Sequence, residues 1–189
     1  MSYLEYALLN LAHWLNIILR LVFLLPVRDD RGRHRSFPFM TVGLVVVNTA
    51  VFALVELLLR LEIGDPKVWY LPLRFTPADV VSGRGLGAAR VISAVFLHAN
   101  LDHLFGNMLL LFFFGRKLED VLGPVKFGLF YMVCAFASCL GFMVQELFQL
   151  HLTQGMIPGL GASGAVMGVM GAYLFLYPRA RIKTLFIFL

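Results

Sequence analysis

The sequence predicts an all-α fold, a polytopic helical bundle in a membrane. Of its 189 residues, 60% are hydrophobic and only 14% are charged. The mean hydropathy is +0.83, and a soluble domain of this size could not bury so much apolar surface. Segments that cross a bilayer must be helical, and a polar residue inside them needs a partner or a function.

Four apolar stretches are predicted to be complete spans, and a fifth begins near the end of the chain. They cover residues 41–59, 101–115, 127–147, 163–177 and, for the fifth, 184–189. Short basic loops fall at every second crossing, which favours a topology with these loops and the N-terminus in the cytoplasm. Because a span needs about 20 residues, we interpret the chain as ending within a helix.

Two parts of the chain are predicted, an N-terminal segment of residues 1–36 and a membrane domain of residues 37–189. Residues 1–26 are apolar but contain Glu5, His13 and Arg20. This pattern favours a helix lying in the membrane interface, with an irregular extra span as the alternative. It does not resemble a removable signal peptide.

The loop after the first span, residues 60–89, is too long for a simple connection and indicates a function. Its aromatic residues Trp69, Tyr70 and Phe75 are typical of anchors at the membrane interface.

The net charge of +5 is explained by basic residues at the ends of the spans, where they meet anionic lipid and set the topology. No basic and aromatic motif predicts nucleic-acid binding. Cys134 and Cys139 lie too close on one helix to pair easily and are interpreted as small buried hydrophobic residues. No Cys and His spacing predicts a metal site, so no cofactor is expected.

Ser163 stands among glycines at the start of the fourth predicted span. The first backbone N–H groups of a helix are unpaired and its dipole is positive there, which are conditions that stabilise an oxyanion. The alternative is a serine that only caps the helix. Gly164 and Gly168 form a small-residue face on which another helix can pack closely.

His103 and Asn107 are four residues apart, so they share one face of a helix. Two polar side chains there are costly in lipid and indicate a site, with a hydrogen bond between helices as the alternative. Measured along the helix from the cytoplasmic, basic end of each span, Ser163 is predicted to lie at a height of about 22 Å and His103 at about 20 Å. The hydrocarbon core is about 30 Å thick, so both residues are predicted to lie below the far surface.

A serine needs a base to become a good nucleophile. The histidines present near the predicted site are His98, His103 and His151, and none is well placed by the sequence. We therefore expect the base to lie beyond Leu189.

These residues resemble the rhomboid intramembrane serine proteases. Gly161-Ala162-Ser163-Gly164 is similar to the family's G-x-S-G nucleophile motif. His98, His103 and Asn107 match its H-x(4)-H-x(3)-N signature.

Three other positions are compared with the family pattern. Arg90 falls at the arginine of a Trp-Arg pair, although Ala89 replaces the tryptophan. Glu119 falls where the family often has a glutamate below the second span. Met167 occupies a position where a tyrosine is often found.

The resemblance implies a rhomboid-like bundle, with residues 37–189 as a partial rhomboid domain. It implies an endopeptidase that cleaves transmembrane substrates through a Ser-His dyad. Ser163 would be the nucleophile, and His103, Asn107 and the Ser163 N–H would hold the oxyanion. Its histidine is expected on a sixth span that faces Ser163 across the glycine face, so residues 1–189 alone are expected to be inactive. The supporting residues would be His98, Gly161, Gly164, Arg90 and Glu119.

The expected partners are membrane protein substrates and the lipid bilayer, and the expected location is a bacterial cell membrane. The oligomeric state is not predicted. The alternative function is a non-catalytic rhomboid-like protein that binds and routes membrane clients. A small transporter is a weaker alternative, because it does not explain why Ser163 and His103 share a depth.

Overall fold

The computed structural model describes residues 22–29, 36–81, 89–148 and 159–188. They fall into two units. One lies within Arg33–Pro178 and is helical, and the other lies within Met1–Gly32 and Arg179–Leu189 and is a two-stranded ribbon. The predicted boundary between residues 36 and 37 remains a prediction.

The described part of the helical unit contains helices at all four predicted spans. In chain order its helices are α1 (Phe39–Arg60), α2 (Pro66–Trp69), α3 (Pro77–Val81), α4 (Ala89–Phe96), α5 (Leu101–Leu122), α6 (Pro124–Phe148) and α7 (Ser163–Leu176). Within the residues described, α1 and α6 are long and apolar enough to cross a membrane. The pair α4 and α5, bent by 98°, qualifies as one broken span. The prediction of a mainly helical membrane protein is confirmed.

Helix α7 is shorter than the other predicted spans. Its 14 residues correspond to about 21 Å of helix, against a hydrocarbon core of about 30 Å. The fourth predicted span is thus an apolar helix that is too short to cross alone. A short helix fits the prediction that Ser163, its first residue, lies below the membrane surface.

Helix α5 continues past residue 115, where the second predicted span ends. It ends at Leu122, followed by Gly123, whose φ is 76° and whose N–H donates to the Glu119 carbonyl oxygen at 2.8 Å. Pro124 then opens α6, because proline fits the first turn of a helix. The connection is thereby reduced to one glycine.

Glu119 explains why the end of α5 stays ordered. Its buried carboxylate accepts hydrogen bonds from the Met40 N–H at 2.9 Å, the Thr41 N–H at 2.8 Å and the Thr41 hydroxyl at 2.7 Å. Those N–H groups belong to the first turn of α1, which has no partners within its own helix. A negative charge at this end also favours the helix dipole. Glu119 therefore joins the end of α5 to the start of α1.

The small-residue face of α7 is covered by α6. A methyl group at Gly164 would overlap the Ser138 side chain, and one at Gly168 would lie 2.6 Å from Cys134 Cβ. The expectation that this face awaits a helix beyond Leu189 is wrong for these two glycines. Cys134 and Ser138 are themselves four residues apart, so small residues on both helices allow the close approach.

The second unit is an antiparallel ribbon of β1 (Val22–Asp29) and β2 (Ile182–Phe188). The register is irregular between Pro26 and Arg28, where proline has no N–H to donate to the ladder. The structure thus has strands where the sequence predicted the end of an interfacial helix and the beginning of a fifth span. Both segments are rich in β-branched, aromatic and other apolar residues, and a run of seven residues is marginal as an isolated helix. The predictions for residues 1–21, and His151, lie outside the described residues.

Candidate functional site

The first turn of α5 fixes the position of His103. Asn100 is the N-cap in an extended conformation, and its Oδ1 accepts a hydrogen bond from the His103 N–H at 2.8 Å. Capping by asparagine is among the strongest helix-start signals. The ring of His98, which precedes the cap, stands edge-on to the His103 ring with centroids 5.2 Å apart. His98 is buried, and its supporting role stays a prediction.

Gly161 brings the segment before Ser163 against α5. Its φ is +104°, and its N–H donates to the Ala94 carbonyl oxygen at 2.8 Å. A methyl group there would lie 2.6 Å from His103 Cε1, 2.9 Å from His103 Nε2 and 3.6 Å from Asn107 Nδ2. Only glycine fits both the conformation and the space. The G-x-S-G and H-x(4)-H-x(3)-N residues therefore meet at this point.

Ser163 is the first residue of α7 and not its cap. The N-cap is Ala162, and the Ser163 side chain is exposed. Among the described residues, its hydroxyl makes no hydrogen bond. The alternative of a simple capping serine is therefore not what the structure has. The backbone N–H of Ser163 belongs to the first turn, where it has no partner within the helix.

Asn107 carries an unused donor. Its side chain is 6% exposed, and its Nδ2 has no hydrogen-bond partner among the described residues. A buried donor without a partner costs about 1–3 kcal/mol. Such an unpaired donor suits a bound acceptor that is not part of the protein.

A cavity of about 440 Å³ opens beside Ser163, within the usual size range for ligand sites. His103 and Gly161 lie on its polar side. Its apolar walls come from three helices and the loop after α1; they include Phe75, Ala94, Val95, Ala135 and Phe142. The cavity can therefore hold an apolar side chain next to an exposed hydroxyl.

Phe75 was predicted to be an interface anchor, and the structure shows that this is wrong. It is 1% exposed and lines the cavity. Its backbone pairs with Gly159 through two hydrogen bonds. The Phe75 N–H donates to the Gly159 carbonyl oxygen at 3.2 Å, and the Phe75 carbonyl oxygen accepts from the Gly159 N–H at 2.8 Å. No sequence signal links residues so far apart. Ser138, also in the cavity wall, had a detectable signal, because it lies four residues after another small residue, Cys134.

The predicted residues His98, Asn107, Arg90 and Glu119 are not among those that line the cavity. Arg90 is buried in α4 and its Nη1 lies 3.4 Å from the Thr76 hydroxyl, so it holds the loop after α1 together. Glu119 follows His103 by 16 residues on α5, or about 24 Å. The Arg90 contact with Thr76 and the Glu119 contacts with α1 therefore join parts of the fold and do not reach the cavity. In the described ranges, no three His, Cys, Asp or Glu side chains are grouped to hold a metal ion.

Comparison with known proteins agrees with these motifs. Residues 87–189, more than half of the chain, match the Rhomboid domain. Rhomboid protein 1 of yeast mitochondria is 34% identical over 149 residues, which are 77% of this chain and 38% of the yeast protein.

Two further relatives match shorter stretches. YdcA of Bacillus subtilis, whose name marks it as a candidate rhomboid protease, is 36% identical over 52% of this chain and 48% of its own length. RHOMBOID-like protein 1 of Arabidopsis thaliana is 39% identical over 45% of this chain and 20% of its own length.

The chain thus spans less than half the length of each of these relatives. The matched domain still covers both motifs and every residue that lines the cavity except Phe75. Together with the apolar helices, it identifies an integral membrane protein. The chain belongs to the rhomboid family.

Proposed function

We propose that this chain carries the nucleophile and the oxyanion site of an intramembrane serine endopeptidase. Ser163 is the nucleophile, and the oxyanion donors are the Ser163 backbone N–H, His103 and Asn107. The observation that carries this proposal is the buried, unpaired Asn107 Nδ2 on the side of Gly161 that faces α5. A buried donor without a partner is costly in a folded protein, whereas an oxyanion donor gains its partner only during the reaction.

In the proposed reaction, Ser163 Oγ bonds to the carbonyl carbon of the scissile peptide while its proton passes to a general base. The carbonyl oxygen becomes an oxyanion and accepts hydrogen bonds from the three donors. The C–N bond then breaks, and the base returns the proton to the leaving amine. Water, activated by the same base, hydrolyses the acyl-enzyme and restores the hydroxyl.

The base is proposed to be a histidine outside residues 1–189. Helix α7 leaves a face exposed that runs along Ser163, Met167, Gly171 and Leu174, of which Met167 is 61% and Leu174 57% exposed. These positions recur at helical spacing. This face differs from the glycine face covered by α6. A helix packed on it would bring a histidine beside the Ser163 hydroxyl.

The substrates are proposed to be membrane proteins. If α7 rests on the cytoplasmic surface, a helix of about 21 Å places Ser163 below the far surface. A substrate would then be cleaved where its backbone is unpaired and reaches the cavity within the membrane. The relatives include a mitochondrial protein as well as a bacterial one, so they do not distinguish between membranes. A bacterial cell membrane stays a prediction.

A fluorophosphonate probe, which reacts only with activated serines, tests the proposal on the full product of the reading frame. We expect labelling of the wild type and none of Ser163→Ala. The control is Ser36→Ala, because Ser36 contacts Asp120 near the opposite end of α5. Equal labelling of Ser163→Ala and wild type would exclude Ser163 as the nucleophile.

The second candidate is a non-catalytic protein that binds membrane clients. The observation that favours it is the Ser163 hydroxyl, which has no base bonded to it among the described residues. A binding protein would retain client capture in both the wild type and Ser163→Ala, without probe labelling of either. Labelling that depends on Ser163 would exclude this candidate.

A further inference from the structure

The loop that precedes Ser163 is held by three backbone hydrogen bonds from distant residues. Phe75 supplies two of them, to and from Gly159, and Ala94 accepts the third from Gly161 at 2.8 Å. Phe75 and Gly159 thus form an antiparallel bridge. Because Gly159 is four residues before Ser163, this bridge fixes the chain just before the nucleophile.

The side chain of Phe75 strengthens the same attachment. Its ring packs with Val91 and Ala94 of α4 in a buried cluster. It stands edge-on to Phe142 of α6, with ring centroids 6.2 Å apart. A methyl group at Gly159 would lie 3.3 Å from Phe75 Cδ1, so the ring lies directly over the Gly159 backbone. One aromatic ring therefore joins α4, α6 and the loop before Ser163.

The position of this ring matters because α4 leads into the oxyanion residues. The chain passes from Phe96, the last residue of α4, through His98 to His103 in the first turn of α5. The loop 159–161 is thus bonded to α4, the helix from which the chain continues to His103. A shift of Phe75 would change the separation between Ser163 and His103 without touching either.

We propose that Phe75 is a positioning residue, which holds the loop 159–161 and thereby sets Ser163 against the oxyanion donors. This inference rests on the proposed protease function. The ring reaches Ser163 through Gly159, so we expect its loss to slow the chemical step. Because the ring also lines the cavity, we expect substrate binding to change as well. A displacement of about 1 Å can lower a rate on the order of 10²-fold.

The first test compares Phe75→Leu with Phe127→Leu in the full product of the reading frame. Phe127 is also fully buried but packs near Gly115 and Thr41, at the other end of α5. We expect Phe75→Leu to lower kcat for a transmembrane substrate by about tenfold or more, whereas a change in KM reports the cavity wall that Phe75 also forms. Phe127→Leu should lower the Tm with kcat of the folded protein unchanged. Equal kcat for Phe75→Leu and the wild type would overturn the proposal.

A disulfide provides the rescue. Arg74 and Leu160 flank the antiparallel bridge, and in regular antiparallel pairing such flanking residues form a non-hydrogen-bonded pair with Cα atoms about 4.5 Å apart, within disulfide range. Arg74→Cys with Leu160→Cys should form a cross-link upon mild oxidation. When this pair is combined with Phe75→Leu, kcat should recover in the oxidised form and fall again after reduction. A loss of kcat that oxidation does not reverse would mean that Phe75 acts other than by holding this loop.

The cross-link also separates this proposal from the proposed function. Its rate of formation is read by mass spectrometry and needs no activity. We expect Phe75→Leu to slow it relative to the same cysteine pair with Phe75 intact. If Ser163 proves inactive while the cysteine pair still cross-links faster with Phe75 than with Phe75→Leu, the proposed protease function is wrong. The inference that Phe75 holds the loop 159–161 is then supported. If Phe75→Leu leaves the rate of cross-linking unchanged, the attachment itself is overturned.

Discussion

At the residue scale, a side chain at Gly161 would meet two obstacles. Its φ of +104° strains any L-residue, and a Cβ would lie 2.6 Å from His103 Cε1. We expect Gly161→Ala to lower stability by about 1–3 kcal/mol from backbone strain. We also expect kcat to fall on the order of 10²-fold because His103 moves. Thermal unfolding and turnover of a transmembrane substrate measure the two effects.

Gly123 separates these effects. Its φ is also positive, +76°, but no atom lies within 4 Å of a methyl group placed there. Gly123→Ala should therefore lose stability from strain and keep its kcat. If Gly123→Ala and Gly161→Ala lost equal kcat, global destabilisation and not the His103 contact would be responsible.

Replacing Asn107 is expected to lower activity without lowering stability. Replacing it with Leu removes a buried donor that has no partner among the described residues, so the Tm should not fall. As an oxyanion donor its loss should lower kcat by about 10²–10³-fold. Asn48→Leu is the control, because Asn48 is fully buried but donates to the Leu44 carbonyl oxygen at 2.7 Å. It should leave kcat unchanged. A lower Tm for Asn107→Leu, without loss of kcat, would assign Asn107 to helix packing.

At the element scale, α6 and α7 are held together by small residues on both sides. A methyl at Gly168 would lie 2.6 Å from Cys134 Cβ, whereas one at Gly171 would meet nothing within 4 Å. We expect Gly168→Ala to destabilise by about 1–3 kcal/mol through overpacking. Gly171→Ala should be neutral or slightly stabilising, because alanine is the better helix former. Chemical denaturation in detergent measures both, and equal stabilities would show that α6 does not pack this closely.

Helix positions followed from local sequence, whereas helix ends and buried loop contacts did not. The apolar run at residues 41–59 predicted α1 to within two residues. The end of α5 was predicted too early, at residue 115, because basic residues follow that position. There, Glu119 bonds to the first turn of α1, a contact between residues 78 or more apart. Local patterns carry apolar periodicity, but they contain no information about such partners.

The residues of the proposed site could be selected from the sequence, whereas the residues that hold them in place could not. Ser163, His103 and Asn107 follow from polar residues that are costly in lipid and from two short motifs. Phe75 could not be recognised, because an aromatic residue in a long loop is typical of an interface anchor. Its role follows from pairing with Gly159, 84 positions away in the sequence. The resemblance also suggested that the glycine face receives the base, whereas α6 already covers Gly164 and Gly168.

At the scale of the whole molecule, α7 in the described helical unit has one side that is covered by other helices and one side that is exposed. The side of α7 that meets α5 and α6 is buried, with Val166, Val169 and Tyr173 each at most 1% exposed. The side that carries Ser163 is open along Met167 and Leu174. Because the nucleophile lies on the open side, completing the site and covering this face are the same event in the proposed mechanism.

This leads to the last prediction, which compares residues 1–189 with the full product of the reading frame. We expect the fluorophosphonate probe to label Ser163 only in the full product, because the proposed base comes with the helix that covers the open face. In the full product, Leu174→Asn should weaken labelling by disturbing that packing. Phe175→Asn is the matched control, since Phe175 is 85% exposed but points about 100° away from Leu174 around α7. Labelling of residues 1–189 that Ser163→Ala abolishes would contradict this prediction and assign the base to a histidine of this chain.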